Sequence, residues 1–129
     1  MIIVKVPFEN SVDALGCKKA ANEILAKFPE KYVSEKGIEV EKSFLIVEEI
    51  NLNNINLNQA NDLMYANAFE IIGKNQKTIF LGGDQSISYQ IGKAFMQVCS
   101  LEDKEPYLRI FDAHPDCKNG ETVPKNSEW

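Results

Sequence analysis

Short β-branched runs alternate along the chain with longer stripes in which apolar residues recur every three or four positions. No other feature limits the architecture as strongly. Ile2-Ile3-Val4-Lys5-Val6 stops at Pro7 and predicts a first strand. Ala14, Cys17, Ala21, Ile24 and Phe28 then follow at helical spacing, with Ser11 as the N-cap and Pro29 as the stop. Phe44-Leu45-Ile46-Val47 predicts a second strand, Thr78-Ile79-Phe80-Leu81 a third and Tyr107–Phe111 a fourth. Between them lie two further helical stripes. One runs through Ala60, Leu63, Met64, Asn67, Ala68, Ile71 and Ile72 to Gly73, the other through Ile87, Ile91, Ala94, Phe95 and Val98. Strands alternating with amphipathic helices predict an α/β fold, a mostly parallel sheet with helices over both faces. With no internal repeat and no linker, residues 1–129 read as a single domain.

The connections are polar. Residues 30–42 are charged and irregular, with Gly37 marking a turn. Six asparagines crowd Asn51 to Asn61. Asn competes for backbone hydrogen bonds, so this tract predicts a loop running into a helix N-terminus; a low-complexity binding tract is the alternative.

Composition removes several function classes. At 129 residues and 44% hydrophobic content, the chain can bury about two thirds of its unfolded surface without disulfides or metals. Fourteen basic against nineteen acidic residues give a net charge of −5 and leave no basic stripe, which argues against a nucleic-acid partner. No run approaches the ~18 apolar residues of a membrane span, and the N-terminal strand is too short for a signal sequence. The cysteines Cys17, Cys99 and Cys117 are odd in number and widely spaced, which favours a reducing compartment and a cytoplasmic location.

Ligands of open α/β sheets gather at the carboxyl ends of strands, and two polar clusters fall there. Asp112-Ala113-His114-Pro115-Asp116 follows the fourth strand. In extended backbone, residues i, i+2 and i+4 point the same way, so Asp112, His114 and Asp116 can converge. Pro115 helps by keeping His114 out of the helical region. Two carboxylates and an imidazole suit Mn²⁺, Zn²⁺ or Fe²⁺. The alternative is structural, with Asp112 capping a turn, Asp116 solvated and His114 packed in the loop. Gly82-Gly83-Asp84-Gln85-Ser86 follows the third strand. It reads as a tight turn with capping, or as a phosphate nest at a helix N-terminus, although Asp84 would repel an anion there.

Taken together, IFLGGDQSIS (Ile79–Ser88) and LRIFDAHPD (Leu108–Asp116) resemble the ureohydrolases, the arginase, agmatinase and formimidoylglutamase family. Its members carry strand–GGDHS and strand–DAHxD segments at about this separation. The specific match covers residues 78–117. The resemblance implies a three-layer α/β/α fold and a site for two Mn²⁺ ions. A hydroxide held between them attacks a guanidinium or amidine carbon, releasing urea or formamide. By motif position, Asp112 would bridge both metals, with His114 on one and Asp116 on the other.

Two departures accompany it. The metal-binding His of GGDHS is replaced by Gln85, a neutral amide and a weaker donor, and no second acidic motif of the type D-x-D-x-x-D-P occurs. The chain therefore reads as the N-terminal portion of an arginase-like fold, holding about half of the metal shell and expected to take Mn²⁺ only partially. One reading is a truncated Mn²⁺-dependent ureohydrolase acting on a small guanidino or amidine substrate. A second is a short, non-catalytic homologue serving as a metal-binding module or subunit. A third is an unrelated α/β domain. A sheet ending at Phe111 would leave an unpaired edge, open to self-association or another partner.

Overall fold

The computed structural model describes residues 1–10, 14–74 and 77–112. In chain order its elements are β1 (Ile2–Val6), α1 (Ala20–Lys27), β2 (Lys31–Val33), β3 (Glu39–Glu41), β4 (Ile46–Glu49), α2 (Leu57–Gly73), β5 (Thr78–Gly82) and α3 (Ile87–Leu101). β1 is the centre of a three-stranded parallel sheet of order β4-β1-β5. Its register places Val4 between Glu48 and Phe80.

The two faces of β1 show why the sheet has two helical layers. Ile2, Val4 and Val6 point to one face and pack with Ala60, Met64 and Ile71 of α2 and Ile87 of α3. Val4, Val6 and Met64 are fully buried, each contributing about 1.5–3 kcal/mol of apolar transfer. Ile3 and Lys5 alternate onto the other face. There the Lys5 ammonium donates to Asn22 Oδ1 of α1 at 2.9 Å and pairs with Glu49 of β4. α1 therefore covers the face that α2 and α3 do not, giving the α/β/α layering expected from the sequence.

The asparagine tract resolves into turn and cap chemistry. Asn51 Oδ1 accepts from the backbone and side-chain amides of Asn53, and Asn54 takes a left-handed φ of 57°. Asn56 caps α2 in a reciprocal box: its side chain accepts from Gln59 N–H, and the Gln59 side chain accepts from Asn56 N–H.

Four boundaries differ from the sequence reading. The first helix begins at Ala20, after a 3-10 turn at Cys17–Lys19, because Gly16 at φ 96° breaks helical geometry upstream. Residues 30–42 are not irregular throughout. β2 and β3 pair antiparallel around the Gly37 turn, with Lys31 bridging Glu39 and Glu41 across the strands. The second strand of the main sheet starts at Ile46 rather than Phe44, since Lys42–Phe44 closes a 3-10 turn and pairing with β1 begins at Ile2↔Ile46. Finally, Tyr107–Phe111 pairs with no described strand, so β5, not this segment, ends the described sheet. A strand exists only where a neighbour takes up its backbone bonds. Here Tyr107 and Leu108 instead line an apolar groove with Thr78, Phe80, Ile91 and Phe95.

Candidate functional site

β1 and β5 are neighbours, yet the chain leaves them toward opposite faces, to α1 after β1 and to α3 after β5. Such a divergence opens a crevice beyond the carboxyl ends of the two strands, the usual ligand position in an open α/β sheet. Both sequence-derived clusters begin at that end of the molecule.

The crevice between β1 and β5 is filled by the protein itself. Gly83 N–H donates to Val6 O and Asp84 N–H to Phe8 O, each at 3.1 Å, extending the parallel ladder past both strand ends. Gly83 permits this approach because it lacks a Cβ, which would stand 1.7 Å from Phe8 O. Neither Gly82 nor Gly83 adopts positive φ, so close contact rather than left-handed geometry explains them. The N–H groups of Gly83 and Asp84 are used in this ladder and that of Ser86 by Asp84, so the segment is a tight turn in which none of these three is left for an anion.

Asp84 is the buried acid of this turn. One of its carboxylate oxygens accepts from Asn10 N–H, the other from Ser86 N–H at 3.1 Å and from the Ser86 hydroxyl. Glu9 anchors the same loop on its other side. Its carboxylate accepts from Gly16 N–H at 2.8 Å and from Lys18 N–H at 3.3 Å, and pairs with the Lys18 ammonium at 3.2 Å. The bonds from Lys18 lead in holding the Glu9 carboxyl below the ordinary glutamate range. Sequence reasoning assigns Glu9 no role, and nothing in its neighbours marks it. Asp84 does carry a signal: an acid two residues before a Ser at a helix start is a common Asx arrangement.

The open space lies on the α3 side. Gln85, Ser86, Ser88 and Tyr89 face Leu108, Arg109, Ile110, Phe111 and Asp112 around a groove of about 560 Å³. The structure thus sets on one groove Gln85, which stands where the resembling motif carries a histidine, and Asp112, the first of the sequence-derived ligand candidates. Both are exposed. The Arg109 guanidinium lies over the Tyr107 ring at 5.8 Å, so the groove carries a cation as well as a carboxylate. His114 and Asp116 lie outside the described residues. Among the described residues no three His, Cys, Asp or Glu side chains gather as a metal shell. A carboxylate and an amide oxygen are hard donors of the kind Mn²⁺ accepts, but alone they are too few. Cys17 and Cys99 are free thiols, and no described helix is long and apolar enough to cross a membrane.

The α/β/α layering is a ureohydrolase-like fold. The fold is similar to a Clostridium difficile protein classed as an agmatinase, at TM-score 0.71 and 17% identity, over 98% of this chain and 46% of that one. It is also similar to formimidoylglutamase from Bacillus subtilis, at TM-score 0.62 and 22% identity, over 75% of this chain and 32% of that one. The chain thus spans less than half the length of either structure. Among curated proteins none matches significantly by sequence. The sequence matches the Arginase family over residues 1–128, and the chain belongs to that family.

Proposed function

We propose that this chain is the N-terminal portion of a ureohydrolase, a hydrolase that cleaves a C–N bond of a small guanidino or amidine substrate. The observation that carries the reading is the shared groove of Gln85 and Asp112 at the carboxyl end of the sheet, in a chain of the Arginase family. Asp112, His114 and Asp116 would hold Mn²⁺, with the Gln85 amide oxygen as a weaker donor. Bound there, Mn²⁺ would supply the Lewis acidity that ionises a water near neutral pH. The chain's own part is to present the Asp112 carboxylate in a groove that Tyr89 and Phe111 also line. The same reading has the protein in the cytoplasm, without nucleic-acid or membrane partners and open to self-association.

A second reading, a non-catalytic metal-binding module or subunit, is favoured by Gln85 standing where the family carries histidine. Titration of residues 1–129 with Mn²⁺, alongside urea and formamide assays, separates the two. We expect weak binding that Asp112→Ala abolishes, and no turnover of arginine, agmatine, guanidinobutyrate or formimidoylglutamate. The loss relative to a complete two-metal site should be ~10³-fold or more, because one cation cannot replace two in activating water. Metal-dependent product that disappears in Asp112→Ala would show a complete enzyme. Binding unaffected by Asp112→Ala would refute the metal site in either form.

A further inference from the structure

The geometry points to Asp84 as a positioning residue that sets where the side chain of residue 85 projects into the groove, an inference that rests on the ureohydrolase reading for its metal-binding consequence. Asp84 is 6% exposed, whereas the next residue, Gln85, is exposed and lines the groove. The backbone on either side of Gln85 sets where its Cα–Cβ bond points, so whatever holds residues 84 and 86 bears on that direction. Asp84 does this from three sides. Its N–H is committed to Phe8 O, one carboxylate oxygen holds Asn10 N–H, and the other holds both the N–H and the hydroxyl of Ser86. Residues 84 and 86 are pinned, and Gln85 is carried between them.

The same carboxylate joins two loops that leave the sheet toward opposite faces. Asn10 follows β1 on the way to α1, and Ser86 opens α3. Asp84 thus spans the divergence between β1 and β5, and the β1 loop and the β5–α3 turn are held as one body. Asn10 N–H and the N–H and hydroxyl of Ser86 all donate to this side chain, a demand that the two oxygens of a carboxylate meet. An asparagine amide at position 84 would turn an N–H toward one of them and leave that donor without an acceptor.

The test compares Asp84→Asn with the native residue in two ways. The first needs no metal: ¹⁵N relaxation of the Gln85 side-chain amide together with hydrogen exchange at Asn10 N–H. Asp84→Asn should make the Gln85 amide more mobile and speed exchange at Asn10; an unchanged Gln85 amide overturns the proposal. The second is a double-mutant cycle with Gln85→His, read as Mn²⁺ affinity. Gln85→His should tighten binding when Asp84 is present, and Asp84→Asn should remove about tenfold or more of that gain, the effect usual for a group that orients a ligand. An equal gain in both backgrounds overturns the proposal. If Gln85→His tightens nothing even beside Asp84, the metal reading fails, and relaxation alone decides the positioning role. Should Asp84→Asn not fold, Ser86→Ala removes one donor from the same carboxylate. It should loosen Gln85 in the same direction by a smaller amount, and a Gln85 amide unmoved by Ser86→Ala counts against the proposal.

Discussion

Two apolar stretches of similar sequence character meet opposite fates. Ile2–Val6 becomes the central strand, with Val4 and Val6 fully buried between neighbouring strands and beneath α2 and α3. Tyr107–Phe111, also rich in aromatic and aliphatic residues, lies outside the described sheet, and Phe111 is 89% exposed. The difference is not one of composition. Ile2–Val6 has a strand on each side and a helical layer on each face, whereas among the described residues Tyr107–Phe111 lies beside the flank of α3 and β5 and pairs with no strand. Apolar pattern states what a segment would gain from burial; a facing surface determines whether the gain is realised.

Substitutions in the two stretches should differ most at the core. Met64→Ala removes a fully buried side chain beneath β1 and should cost about 2–5 kcal/mol, read as a fall in the urea midpoint. A loss as small as a surface change would mean that the β1 core is far looser than its burial shows.

Glu9 should give a smaller effect, visible as a trend with pH. Its carboxyl is held below the ordinary glutamate range by Lys18 and Gly16. A depressed carboxyl contributes stability that is fully present above its unfolded pKa and lost as pH falls through the lower, folded value. The urea midpoints of the native chain and Glu9→Gln should therefore differ near neutrality and converge on acidification below the ordinary glutamate range. A gap that widens toward acid would reverse the assignment.

The smallest effect belongs to the exposed segment. Phe111→Ser should leave stability within about 0.5 kcal/mol, since Phe111 has little burial to lose. A larger loss would reveal that the segment is packed in solution and would erase the contrast with β1.

This contrast also explains what could be read in advance. β1, α2, β5 and α3 were legible because their apolar positions match the period of the element and all find the same core. The β2–β3 hairpin was not, since its strands are three residues each and held by exposed Lys–Glu pairs rather than by an apolar face. Pattern alone puts Gln85 and Asp112 at strand ends, and the structure sets them on one groove. It could not show that Asp84 ties two loops, because Asn10 lies 74 residues away along the chain. His114 and Asp116, the remaining sequence-derived ligands, fall outside the described residues.

The contact between Gly83 and Phe8 has a consequence for how this gene can drift. Every single-base change in a glycine codon that alters the amino acid adds at least a Cβ, and here that atom would stand 1.7 Å from a backbone oxygen. Backbone, unlike the tip of a side chain, cannot swing aside without shifting the loop that carries Glu9 and Asn10. Position 83 is therefore closed to one-step mutation unless the β1 loop changes first. In a saturation library selected for folding it should stand out as a blank column beside the tolerant, exposed position 85.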